Sequence, residues 1–115
     1  MEKHYNLYFL QDYYGEDVAS MSVILRMYLE ETPKELKLIE NHLISNHGAE
    51  AKMVTHKIKT SIALLGIADP VRFIERMHQA AGAEVTKELI DLFVAFRNEV
   101  FKGLADIEKD FFSAP

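Results

Sequence analysis

Apolar residues recur along most of this chain at steps of three and four, the spacing of amphipathic helices. A short apolar segment over 7–14 ends at Gly15. Over 16–31, Val18, Met21, Leu25, Tyr28 and Leu29 keep helical spacing, with Ile24 alongside. Thr32-Pro33-Lys34-Glu35 then reads as a fresh start. Thr32 suits an N-cap, Pro33 suits the first helical position, and Glu35 completes a capping box. The helix so opened uses Leu36, Ile39 and Leu43 and runs out near Ser45-Asn46-His47-Gly48. The next carries Ala51, Val54, Ile58, Ile62 and Leu65 on one face and closes around Gly66. Asp69-Pro70 repeats the cap-plus-proline signal and opens a shorter helix, with Ile74, Met77 and Ala81 inward, that Gly82 interrupts. The last helix is expected to be the longest, striped by Val85, Leu89, Leu92, Phe93, Phe96, Val100, Leu104, Ile107 and Phe111.

No stretch alternates as a strand would, and no repeat or low-complexity segment interrupts the pattern. Short connections between the later helices predict antiparallel neighbours. The expected fold is all-α: an antiparallel four-helix bundle over about 33–112, with additional N-terminal helices capping it over about 7–31. Its 115 residues make a single domain able to bury one modest core.

Composition narrows the function classes. The chain is 49% hydrophobic and 27% charged, ordinary for a soluble globular protein. Without cysteine there is no disulfide, thiolate chemistry or Cys-ligated zinc. A net charge of −5 argues against general nucleic-acid binding. The start lacks a secretory pattern and no apolar run is long enough for a bilayer, so a cytoplasmic protein without a membrane partner is expected.

The charge is unevenly placed, and this changes the picture. From 51 to 68 there is no Asp or Glu, while Lys52, Lys57 and Lys59 all fall there. At about 100° per residue, His56 projects opposite the apolar stripe of its helix, with Lys52 one turn before it and Lys59 about one turn after. Thr60 and the small Ala63 continue that face. An accessible imidazole between ammonium groups suits an anionic reactant. Met53, Leu64 and Ile67 border the same face as candidate apolar contacts for a partner.

The remaining histidines carry less. His78 falls near the inner face of its helix, a partly buried structural position. His42 and His47 flank a helix end, face solvent, and are five residues apart, poorly placed to share a metal on one helix face. No zinc or di-iron spacing is present, so no metal site is expected. Most of the phenylalanines, Phe73, Phe93, Phe96, Phe101, Phe111 and Phe112, read as core or helix contacts.

His56-Lys57-Ile58-Lys59-Thr60-Ser61, followed by Leu65-Gly66, resembles the signature of histidine-containing phosphotransfer (HPt) domains. In that family the His is followed two residues on by Leu or Ile, three on by Lys, and later by Leu-Gly. Leu29-Glu30-Glu31-Thr32-Pro33 leading into the bundle is also common there, and the resemblance spans about 7–112. It implies a phosphorelay intermediate of two-component signalling. His56 would accept a phosphoryl group from a receiver-domain aspartyl-phosphate and pass it to another receiver Asp. Lys59 would help to hold the phosphoryl oxygens, and Gly66 would allow close packing. Thr60 departs from the family, which often has Gly there; it narrows the approach to His56 and adds a hydroxyl.

The chemistry suits these residues. A neutral imidazole is a competent nucleophile near neutral pH. The ammoniums of Lys52 and Lys59 are expected to stabilise a phosphohistidine. No Gly-rich phosphate loop is present. The chain is therefore expected to be a stoichiometric carrier and not an enzyme, with no cofactor of its own. Mg²⁺ would belong to the receiver. The partners implied are receiver domains of response regulators or a hybrid histidine kinase, met by a monomer. A phosphorylation-independent helical adaptor, binding a receiver or partner helix through the same surface, is the alternative.

Overall fold

The computed structural model describes residues 4–67, 74–77, 79 and 84–112. These residues are all-α, with no strand among them. Four helices are bounded: α1 (Tyr8–Tyr14), α2 (Val18–Ile44), α3 (Gly48–Leu65) and α4 (Lys87–Phe111). Residues 74–77 are also helical, with Ile74 and Met77 buried. The Asp69-Pro70 start, the inward Ala81, the break at Gly82, Phe73 and the side chain of His78 lie outside the described residues.

α2 corrects the reading of two helices meeting at Thr32-Pro33. It runs unbroken through Pro33 for 27 residues, which makes it longer than α4 at 25. Proline in a helix interior costs about 3 kcal/mol and removes one backbone donor. Burial outweighs it. Met21, Leu25, Thr32, Leu36, Ile39 and Leu43 form one buried stripe that crosses the proline. Each fully buried aliphatic contributes roughly 1.5–3 kcal/mol, and Leu25, Leu36 and Ile39 are all 1% exposed or less. Thr32, read as an N-cap, is instead inside α2 and only 1% exposed within that stripe. The true N-cap is Asp17, whose carboxylate accepts from the Ser20 N–H at 3.1 Å.

The turn after α2 is tight. Asn46 takes a left-handed conformation (φ 58°), His47 N–H donates to the His42 carbonyl at 2.7 Å, and Asn46 N–H donates to Leu43 at 3.1 Å. These two bonds are a Schellman ending. The chain therefore reverses, and α3 runs antiparallel to α2. Late α2 residues Ile39 and Leu43 lie beside Ala51 and Thr55 of early α3, and early α2 residues Ile24 and Tyr28 lie beside Leu64 near its end.

α4 begins with Thr86 as N-cap, its hydroxyl accepting from Leu89 N–H at 3.2 Å. It also runs antiparallel to α2. Val85 N–H donates to the Asn46 side chain at 2.7 Å, Arg97 pairs with Glu40 at 3.1 Å, and the Arg26 guanidinium lies 4.1 Å from the Phe112 ring centre. Leu89, Leu92, Phe93, Phe96, Val100, Leu104 and Ile107 are buried as the stripe predicts, but Phe101 and Phe111 are each about two-fifths exposed. Val18, also placed on an apolar stripe, is exposed.

The N-terminal segment straps the far end together. The His4 ring lies 2.7 Å from Asp106 and the Tyr5 hydroxyl donates to Asp110 at 2.5 Å, tying the segment to α4. Burial, and then this bond, push the Tyr5 hydroxyl up to about 12. Leu7 and Leu10 enter the core and carry α1 against α2 and α3.

Candidate functional site

α3 presents the site because its inner face is fully committed. Ala51, Thr55, Ile58, Ile62 and Leu65 alternate at steps of four and three, and all are buried. The Thr55 hydroxyl donates back to the Ala51 carbonyl at 2.8 Å, so even the polar member of the stripe is satisfied. What remains faces outward: Lys52, Met53, His56, Lys57, Thr60 and Ala63 are exposed, and Lys59 is half-buried.

His56, Lys59, Thr60, Ala63 and Leu64 line one open depression of about 530 Å³. Its remaining wall is Phe9, from α1. Five residues singled out from the sequence are thus brought together. Phe9 was missed, because nothing in the periodicity connects a short N-terminal segment with α3. The only available signal was an aromatic residue on the outer side of that segment; Phe9 is 65% exposed.

Three other expected site residues do not line this depression. Lys52 borders a different, very small cavity with Ile39, Leu43, Ala51 and Thr55. Met53 is 72% exposed on the outer face of α3, open to a partner yet outside the depression. Ile67 is a correction. It is only 2% exposed, so it cannot dock a partner. Gly66 ends α3 in a left-handed conformation (φ 58°), which turns Ile67 inward onto α4.

Lys57 points elsewhere. Its charge acts on Glu35 of α2, whose carboxyl is raised above its ordinary range chiefly by burial and further by Glu31, against the lowering pull of Lys57. One Glu35 oxygen is buried without a hydrogen-bond partner. Of the three lysines in the acid-free run, Lys59 alone lines the His56 depression. It can place an ammonium beside an anion bound at His56.

His47 is exposed and His42 half-buried. Their rings stand 6.0 Å apart, because the helix ends between them and the Schellman turn folds one back toward the other. Among the described residues, no group of three or more His, Asp or Glu is arranged to hold a metal ion. None of the described helices is long and apolar enough to cross a membrane. Comparison of the chain with family models, curated proteins and solved structures returns no match.

Proposed function

We propose that this protein is a phosphorelay intermediate of the HPt type, in which His56 carries the phosphoryl group. The observation that carries this reading is one depression shared by an exposed imidazole, a lysine one turn along the same helix, and small or apolar neighbours. The finer architecture belongs to the same proposal. Helical residues 74–77, together with α2, α3 and α4, would form a four-helix bundle that presents α3 outward, within a single domain.

In the proposed reaction, the lone pair of an unprotonated His56 ring nitrogen attacks phosphorus in line with the acyl–phosphate bond of a receiver. The N–P bond forms, the P–O bond breaks, and the receiver carboxylate leaves with the electron pair. The other ring nitrogen keeps its proton. Lys59 neutralises the phosphoryl oxygens as charge redistributes. Thr60 narrows the approach and offers a hydroxyl beside them. Return to a second receiver is the same step reversed. Metal ions and the chemical driving force come with the receiver, and this chain supplies the nucleophile and a docking surface.

The apolar part of the depression, with exposed Met53 beside it, favours a second reading: a helical adaptor that binds a receiver without chemistry. One experiment separates the two. The chain is incubated with a phosphorylated receiver and assayed for acid-labile, base-stable phosphate. The wild type should acquire it and His56→Gln should not, while both bind the receiver. Transfer to the Gln variant, or no transfer to the wild type from any receiver of its own cell, removes the phosphotransfer reading.

A further inference from the structure

We infer that Asn6 is a positioning residue for the His56 site; this rests on the phosphoryl-acceptor reading and deepens it. The depression has walls from two helices, α1 and α3, and Asn6 bonds to both. Its backbone N–H donates to the carbonyl of Leu65, the last residue of α3, at 3.1 Å. Its side-chain oxygen accepts from the N–H of Tyr8, the first residue of α1, at 2.9 Å. Its own carbonyl lies over Gly66, in space that any side chain there would fill.

The side-chain bond is the part that sets α1. A helix of seven residues is far below the length that is stable alone, so its orientation comes from its ends and its packing. Leu7, the N-cap by position, has no side chain able to satisfy the first turn and makes no capping bond. Asn6 supplies that acceptor from one residue further out. Leu7 and Leu10, with Tyr14 packed against the core at the far end, bury one side of α1, and the Asn6 cap fixes its near end. Phe9 lies on the exposed side and lines the depression, so its placement there follows the orientation that the Asn6 cap helps to set. Asn6 is not among the residues that line the depression. It acts through Phe9, the wall that an incoming receiver meets.

The test uses the full chain with Asn6→Ala, Asn6→Asp, Phe9→Ala and the Asn6→Ala/Phe9→Ala double variant. Transfer from a phosphorylated receiver is measured over a range of receiver concentrations. Asn6→Ala should raise the half-saturating concentration roughly fivefold, the equivalent of a cap worth about 1 kcal/mol, with little change in the maximal rate. Asn6→Asp keeps the acceptor and should restore the wild-type value to within about twofold. The double variant should be no worse than Phe9→Ala alone, since both changes act through one ring. An NMR arm is independent of the chemistry: Phe9 ring and Leu64 methyl shifts should move in Asn6→Ala and return in Asn6→Asp. Unmoved shifts, full additivity, or an Asn6→Asp variant as impaired as Asn6→Ala would overturn the inference. A wild-type chain that never accepts phosphate would sink the acceptor reading alone, with the NMR arm still deciding whether Asn6 sets Phe9.

Discussion

The Ile67 side chain rests against the bare backbone of Gly103. A Cβ built on Gly103 would come within 2.7 Å of Ile67 Cγ1 and of the His4 carbonyl oxygen. Three separate stretches meet there: the residue after the α3 cap, the N-terminal strap and the buried side of α4. Gly103→Ala therefore sets two effects against each other. Helix propensity favours alanine by about 0.5–1 kcal/mol, whereas overpacking a filled site costs about 1–3 kcal/mol. One of the atoms in the way is backbone and the other belongs to a buried, β-branched side chain, so crowding should win. Urea unfolding is expected to show a lower midpoint with an unchanged slope; a higher midpoint would mean that the strap yields.

Gly66 and Gly15 separate conformation from crowding. Their φ values are 58° and 57°, so alanine is strained at both. A Cβ at Gly15 meets nothing within 4 Å, while one at Gly66 overlaps the Asn6 carbonyl oxygen and lies 2.8 Å from its carbon. Gly15→Ala should cost only the backbone penalty, about 1 kcal/mol. Gly66→Ala should cost that and the displacement of the strap, about 2–4 kcal/mol in all. Thermal unfolding of the two variants side by side checks the ranking, and equal losses would refute it.

Lys59 should matter to rate and not to stability. As a half-buried cation that lines the same depression as His56, it would, on the phosphotransfer reading, stabilise charge that develops during transfer. Removing one preorganised donor from an oxyanion hole typically costs about 10²–10³ in rate, and the same order is expected for Lys59. Lys59→Ala is predicted to slow phosphoryl acceptance by about that factor while unfolding within about 0.5 kcal/mol of wild type. Lys52→Ala, outside the depression, should slow it far less. Single-turnover kinetics with a phosphorylated receiver measure both.

Glu35 gives the stability a pH dependence of defined sign. Burial holds its proton to higher pH in the folded chain than the ordinary 4.5. Just above 4.5, the folded state therefore binds more protons than the unfolded state, and stability falls as pH rises through that window. The contribution is fully present below 4.5 and lost once pH passes the folded value. Glu35→Gln removes the charge and leaves a neutral amide where the carboxylate oxygen lies buried without a partner. It should match wild type near pH 4 and exceed it at pH 7. Urea midpoints at the two pH values provide the check, and a variant less stable at pH 7 would contradict this account.

The sequence is legible where one helix face decides the outcome. The buried run of α3 and most of the α4 stripe follow from periodicity, and exposed His56 follows from the same angular argument. Local signals misled where packing overrode them. Thr32-Pro33 has every mark of a helix start, yet the stripe from Leu25 to Ile39 continues across it at full burial. Ile67 looked like part of an outward face because angular counting was carried past Gly66, where the left-handed turn resets direction. Phe9 was beyond reach of any such argument. Its place beside His56 is set by Asn6, Leu7 and Leu10, contacts that span most of the distance between the chain start and the end of α3.

That Phe9 arrives from α1 means that, on the proposed reading, reactivity and address are written in different stretches of the chain. The run from His56 to Gly66 can stay fixed letter by letter while Tyr8, Phe9 and Tyr13 change around the buried Leu10, since those three are exposed and carry little of the core. Two chains with the same acceptor helix and different first turns would then share one chemistry and meet different partners. Divergence of specificity after duplication would need only that short helix to drift.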